Sequence, residues 1–185
     1  MSLLGSVRWL ADTPWSIALH ESLWMYTIVE SVHVLTLCLF VGMSVFLDLR
    51  LLGLTLGRVP VSEVTARFLP WMTAGFVVMI ISGVTLFYAI PVRTFQNVFF
   101  RAKMVMLVLA GLNVWVFHSG VHRRVAAWDL DPLPPTAARM AAAFSLILWM
   151  GIVISGRMIA YNWFDCDKPQ STIVRGLAGC TTDSR

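Results

Sequence analysis

Charged residues are scarce in this chain, and that scarcity sets its structural class. Lysine, arginine, aspartate and glutamate make up only 13% of the 185 residues, whereas hydrophobic residues make up 58%. Soluble domains carry about 25% charged residues. The sequence also lacks repeated segments of about 10 residues with alternating polarity, which a membrane β-barrel requires. Both a soluble domain and a membrane barrel are therefore excluded.

Motifs for several kinds of chemistry are missing as well. The three cysteines include no C-x-x-C-H segment, so covalently attached c-type haem is excluded. No basic cluster is interleaved with aromatic residues, and the net charge of +4 therefore indicates a membrane surface, not a nucleic acid, as partner. Cys166 and Cys180 lie on one C-terminal tail, where a disulfide and two free thiols are both open. Met1–Leu19 has no continuous apolar stretch, so we expect no cleaved signal peptide.

Four long apolar segments are what the chain does contain. They lie at about 23–47, 69–90, 102–122 and 137–164, and a bilayer crossing needs roughly 20 residues. In lipid the backbone groups of such segments are satisfied within helices. The sequence predicts an all-α integral membrane protein, a four-transmembrane-helix bundle over residues 1–168. We expect a short interfacial helix near Leu3–Leu10 and a polar, disordered tail over 169–185. Positive charges are balanced between the two sides, so no orientation is predicted.

The first predicted span carries a polar face. Tyr26, Glu30, His33, Leu37, Phe40 and Ser44 follow one another at intervals of three or four residues and so share one side of a helix. Ionisable side chains at membrane depth are costly and mark functional interiors. His33 is the predicted cofactor ligand, and Glu30 is predicted to orient its ring or to hold a proton. The alternative for His33 is a structural histidine that is hydrogen-bonded within the core.

The third predicted span supplies a matching face. Gly111, Trp115, His118 and His122 recur at intervals of four, three and four residues. His33 and His118 are offset by roughly 7 Å along the bundle, which helix tilts of about 20° reduce. We predict that both histidines bind the iron of one haem b, with Gly111 admitting the porphyrin edge. The alternatives are that His118 and His122 together bind Zn²⁺ or copper, or that His122 only marks the interface.

Other ionisable residues offer further contacts. Lys103 and Arg157 lie at span edges, where each either snorkels to the interface or pairs with a haem propionate. His20 precedes His33 by 13 residues, which places the two rings about 140° apart around a helix. One haem is therefore predicted, and a second haem on His20 is the alternative.

Two stretches of sequence resemble those of an uncharacterised bacterial family of four-helix membrane proteins. Glu30-Ser31-Val32-His33 is followed by Gly42 and by Asp48-Leu49-Arg50-Leu51-Leu52-Gly53. Gly156-Arg157-Met158-Ile159-Ala160-Tyr161 resembles the last-helix signature of that family. The resemblance implies a four-helix protein of a bacterial inner membrane.

More distantly, the layout resembles the four-helix membrane protoporphyrinogen oxidase and the membrane domain of copper-resistance protein D. The resemblance to the oxidase implies haem-binding or catalytic roles at the matching positions, which are His33, Gly42, Arg50, Leu51, Lys103 and His118. Where the oxidase has P-R-L, this chain has Leu49-Arg50-Leu51. That departure concerns the oxidase activity and leaves haem binding in place.

The favoured interpretation is a membrane b-type cytochrome with haem between the first and third spans. It would transfer electrons between a membrane donor such as quinol and a partner protein. One alternative is a membrane oxidase of the protoporphyrinogen-oxidase type, with Glu30 or Lys103 moving protons. The other is a copper or proton permease that uses methionine-rich faces. Small residues in the fourth span, such as Gly151 and Gly156, permit close packing within the bundle or in a homo-oligomer.

Overall fold

The computed structural model describes residues 3–161, 164, 166 and 168–180, and these residues form helices and no strands. The helices are α1 (Leu3–Ala11), α2 (Pro14–Glu21), α3 (Leu23–Leu51), α4 (Val61–Ala89), α5 (Pro91–Phe95), α6 (Val98–Val116), α7 (Thr136–Ile159) and α8 (Thr172–Ala178). A π-helical segment (Phe117–Val121) and a 3₁₀ segment (His122–Ala127) continue α6.

Four of these helical stretches are long and apolar enough to cross a membrane, which confirms the predicted fold class. They are α3, α4, the stretch Val98–Ala127 and α7, called here the first to fourth spans. The short helix α1 lies near its predicted position. The chain is a multi-pass membrane protein with an all-α, four-span fold.

The chain divides into two compact units, and each unit takes one segment from each of the four spans. The first unit also holds the N-terminal helices, α5 and the C-terminal tail, whereas the second holds the connections at 52–60 and 128–135. The first unit comprises Met1–Val34, Ile80–Val105 and Ile152–Arg185, and the second comprises Leu35–Met79 and Met106–Gly151.

In the first unit, α2 is attached to the end of the second span. Thr13 caps α2, since its hydroxyl accepts a hydrogen bond from the Ser16 amide, and Pro14 occupies the first turn, where a missing N–H is harmless. The hydroxyls of Thr13 and Tyr88 lie 2.6 Å apart. Ser16 donates to the Tyr88 carbonyl at 2.7 Å. These bonds fix the polar N-terminal turn against the apolar span.

The second span begins at Val61, earlier than the predicted start near residue 69. The amphipathic approach is continuous with the span because Val61 belongs to the buried core of the second unit. Pro70 lies inside α4 without ending it, although proline removes one helical hydrogen bond. The first span extends to Leu51, and the fourth ends at Ile159, not near residue 164.

The third span is the least covered by the rest of the protein. Only 6% of its most apolar stretch is buried, against 33% for the fourth span. The end of the third span nevertheless joins the core of the second unit. That core consists of Leu51, Val61, Phe117, Trp128, Ala138 and Ala142.

The C-terminal tail contains a helix where the sequence predicts disorder. Ser171 caps α8 through its hydroxyl, and Gly179 ends the helix with φ of 70°, a conformation that favours glycine. Cys166 and Cys180 form a disulfide, which settles the pairing that the sequence left open. Arg101 of α6 donates to the Leu177 carbonyl at 3.0 Å. Capping, the disulfide and this long-range bond order a stretch whose composition alone is polar.

Candidate functional site

His33 lies in the first unit and is half-buried. Its Nδ1 is 2.8 Å from the hydroxyl oxygen of Ser82 on the second span. A Cβ at the neighbouring Gly83 would lie 3.2 Å from Cε1 of His33, so the ring packs closely against glycine backbone. A hydrogen bond from another helix together with a close backbone contact fixes the orientation of the imidazole.

Glu30 lies one turn before His33 and is exposed. Ser82, not Glu30, holds Nδ1 of His33, so the ring-orienting role predicted for Glu30 belongs to a hydroxyl on another helix. The charges of Glu30 and Arg93 both act on the hydroxyl of Tyr26. The second predicted role of Glu30, that of holding a proton, stays a prediction.

The two predicted cations of the first unit have different surroundings. Lys103 is half-buried, and its ammonium lies 3.6 Å from the position of a Cβ at Gly156, so glycine leaves room for it. Arg157 instead donates to the Tyr161 hydroxyl at 3.2 Å, with its guanidinium 5.1 Å from the centre of that ring. The surface pairing of Arg157 fits the snorkelling alternative, whereas Lys103 offers a cation inside the unit.

The face of the third span that carries His118 is exposed, although the sequence predicts that it faces a cofactor. Gly111 and His118 are exposed, and Trp115 is 68% exposed. Nδ1 of His118 is 3.0 Å from the Val114 carbonyl oxygen. Because a carbonyl only accepts hydrogen bonds, Nδ1 carries the proton and Nε2 keeps its lone pair. His118 therefore presents a ligand nitrogen at an exposed face of the second unit.

His122 pairs with His118 on the same face. Their ring centroids are 5.1 Å apart. Nδ1 of His122 is buried and has no hydrogen-bond partner among the described residues. The π-helical segment Phe117–Val121 sets the spacing of the two rings, and such segments are frequent at functional sites. Within the described ranges no three His, Cys, Asp or Glu side chains are grouped to hold a metal ion, so the pair offers two ligands.

His20 belongs to a different polar region of the first unit. It lines two open clefts, of about 240 Å³ and about 470 Å³, which also share Ile90 and Arg93. Tyr26 lines the smaller cleft and Glu21 the larger. His33 lines neither cleft. The structure thus places His20 beside the N-terminal helices, apart from the Ser82 contact of His33.

Arg50, which the oxidase resemblance associates with haem or catalysis, holds backbone in the second unit. It is fully buried, at 0% exposure. Its Nε donates to the Val59 carbonyl at 2.9 Å, and its Nη2 donates to the carbonyls of Asp129 and Asp131 at 3.3 and 3.2 Å. One guanidinium therefore joins both connections of this unit, which is a structural role.

Asp129 reinforces the same junction from the other side. Its carboxylate accepts hydrogen bonds from the Ser62 amide at 2.8 Å and from the Ser62 hydroxyl at 2.5 Å, at the start of α4. Burial acts to raise the pKa of Asp129, but the hydrogen bonds from Ser62 and Val61 and the charge of Arg50 outweigh it and lower that pKa below its usual value.

Asp48 is a buried polar residue that the sequence predictions left without a role. It is 6% exposed in the first span, and Ser145 of the fourth span hydrogen-bonds to its carboxyl group. The sequence held the same signal that identified Glu30 and His33, an ionisable residue within an apolar helix. Its place near the span end and within a family motif concealed that signal.

Comparisons with known proteins give a family but no function. The chain matches no curated protein and no solved structure. The model of a family of unknown function, DUF6644, matches residues 21–162, which include all of the first three spans and the whole of α7. Since the match covers well over half of the chain, the protein belongs to the DUF6644 family.

Proposed function

We propose that this protein is a membrane haem protein of the b type in which His33 is an axial ligand. The observation that supports the proposal is the 2.8 Å contact between His33 Nδ1 and Ser82 Oγ. Histidine ligands commonly use one ring nitrogen for the metal while the other is held by a hydrogen bond, which fixes both tautomer and orientation. In this arrangement Nε2 of His33 is the nitrogen directed to iron.

Other residues of the first unit fit the same group. Gly83 lets the imidazole lie against backbone, and Lys103 supplies a half-buried cation for a propionate carboxylate. The second ligand of the proposal is His118, whose Nε2 keeps its lone pair because Nδ1 is bonded to the Val114 carbonyl. When bound, haem supplies one-electron chemistry, while the chain supplies ligation, orientation and burial.

The proposed activity is electron transfer between a membrane donor, such as a quinol, and a partner protein. Apolar spans make the bilayer the natural source of the donor. We further place the protein in the bacterial inner membrane with its C-terminal tail on the periplasmic side, because disulfides persist in oxidising compartments. Labelling of Cys166 and Cys180 by a membrane-impermeant maleimide in reduced spheroplasts tests this orientation, and absence of labelling would contradict it.

A reduced-minus-oxidised visible spectrum of the purified wild-type protein tests the proposed function. We expect a redox-linked α-band and a pyridine haemochrome typical of haem b, with about one haem per chain. Protein expressed with an ample haem supply, folded in detergent and still colourless would overturn the proposal. Porphyrinogen turnover by the haem-loaded protein would instead favour the oxidase alternative.

The second candidate is a copper or zinc protein that uses His118 and His122. The 5.1 Å ring separation and the unpartnered Nδ1 of His122 favour it, because two imidazoles one turn apart can share a metal ion. His122→Ala separates the candidates. Haem is retained in this variant if His118 is an iron ligand, whereas copper or zinc is lost if the two histidines act as a pair. Metal analysis and the visible spectrum are read on the same sample.

A further inference from the structure

Asp48 lies in a small polar site inside the second unit. It sits in the last turn of α3, where it is 6% exposed. Ser145 hydrogen-bonds to its carboxyl group, while Oδ2 is buried and has no hydrogen-bond partner in the described part of the chain. Ser145 therefore engages the other oxygen, Oδ1. Ser44, one turn before Asp48 on the same helix face, is buried as well.

No cation neutralises this carboxyl group. Arg50 directs Nε and Nη2 to backbone carbonyls. Arg139, near the start of the fourth span, and His122, at the end of the third, are the other basic residues nearby along these elements. None of these three described residues forms an ion pair with Asp48. A buried carboxylate without a partner costs several kcal/mol, whereas the neutral acid can be buried with a single hydrogen bond.

The site is close to the aqueous end of its span. The helix ends at Leu51, three residues after Asp48, and the connection at 52–60 follows. Nη1 of Arg50 and Oγ1 of Thr55 are also buried without partners along this stretch. Buried polar atoms of this kind are normally satisfied by ordered water. Water beside residues 48–55 would give Oδ2 a short path to the membrane surface.

We propose that Asp48 is a proton-binding site, at which the carboxylate takes up a proton from water at the 52–60 connection and returns it there. On uptake an O–H bond forms at Oδ2 and the donor O–H bond breaks in hydronium or water, and on release the reverse occurs. No electron moves in this step. The Ser145 hydroxyl holds Oδ1 in both states. The proposal is independent of haem, because it uses only residues of the second unit.

Infrared difference spectroscopy of the wild-type protein in detergent, between about pH 5 and 9, tests this proposal. We expect a carboxylic-acid C=O band that disappears reversibly as the pH rises and shifts in D₂O. The full band is lost in Asp48→Asn and displaced in frequency in Asp48→Glu. Glu30→Gln is the matched control, since Glu30 is an exposed carboxylate of the same helix, and the band is unchanged in this variant.

Three outcomes would overturn the proposal. The wild-type band could stay constant at every pH at which the protein is folded, which would make Asp48 a permanently protonated structural residue. The pH-dependent band could persist in Asp48→Asn, or it could vanish in Glu30→Gln. The wild-type titration needs no variant, and the frequency shift in Asp48→Glu assigns the band even if Asp48→Asn fails to fold.

Discussion

Polar groups are treated differently in the two units of this protein. In the first unit they pair across helices, as His33 does with Ser82 and Thr13 does with Tyr88. In the second unit many are buried without partners. Among the described residues, Asn97 supplies the single orphaned atom of the first unit, whereas Asp48, Arg50, Thr55, His122 and Arg139 each supply one in the second.

This difference teaches what each unit is suited to hold. Hydrogen bonds from fixed partners lock an imidazole in one orientation, which a rigid cofactor requires. Buried polar atoms without protein partners need water, a proton or a ligand, since leaving them unsatisfied costs about 1–3 kcal/mol each. The first unit is therefore the better candidate for the proposed haem ligand, and the second unit for proton or metal binding.

Replacing Arg50 tests whether the second unit depends on its guanidinium, and it carries the largest expected effect on stability. Arg50→Met leaves the carbonyls of Val59, Asp129 and Asp131 without their donor. We expect the free energy of unfolding to fall by about 3–5 kcal/mol. Denaturation in mixed detergent micelles measures it. Arg58→Met, an exposed arginine on the same connection, should change that free energy by less than about 0.5 kcal/mol. Equal losses in both variants would remove the structural role of Arg50.

Replacing Ser82 tests whether the pairing in the first unit positions His33. Ser82→Ala keeps the imidazole and removes its hydrogen-bond partner at Nδ1. We expect haem affinity to fall by about 10- to 100-fold, the usual cost of losing such a partner, and the midpoint potential to shift. Haem titration and potentiometry measure both. Ser31→Ala is the control, because Ser31 donates only to the Thr27 carbonyl of its own helix. Unchanged affinity and potential in Ser82→Ala would show that the contact has no role in ligation.

Acid pH tests the Asp129–Ser62 junction of the second unit, where the effect is smaller. Because the pKa of Asp129 is lowered on folding, its contribution is present above the unfolded pKa and is lost as pH falls through the lower, folded pKa. Asp129→Asn should lower the free energy of unfolding by about 1 kcal/mol near pH 7. The difference from wild type should shrink below about pH 4. Asp131→Asn, an exposed neighbour, is the control. A gap between Asp129→Asn and wild type that does not depend on pH would contradict the linkage.

Hydropathy was sufficient to predict the four spans, because lipid leaves an apolar backbone few alternatives to a helix. Boundaries depend on contacts that the sequence does not display. Val61 begins the second span early because it packs into a core formed with Trp128 and Ala138, which are distant in sequence. The tail helix likewise rests on a disulfide, a cap at Ser171 and the bond from Arg101, each of which polar composition conceals.

Helical periodicity identified His33, but it could not identify its partner. A serine within an apolar span is common, and only packing of the second span against the first places Ser82 at Nδ1. Periodicity also placed Gly111, Trp115 and His118 on one face correctly, yet it could not tell that this face is exposed. Spacing reports which residues share a face, whereas the neighbours of that face are set by tertiary contacts.

The haem content of purified His33→Ala, compared with wild type and with His20→Ala, tests the central claim most directly. His20 is the matched control because it is an exposed histidine beside the N-terminal helices of the same unit. We predict that wild type and His20→Ala carry equal haem with the same reduced-minus-oxidised spectrum, and that folded, monodisperse His33→Ala loses it. Full haem content with an unchanged spectrum in folded His33→Ala would contradict the assignment of His33 as an axial ligand.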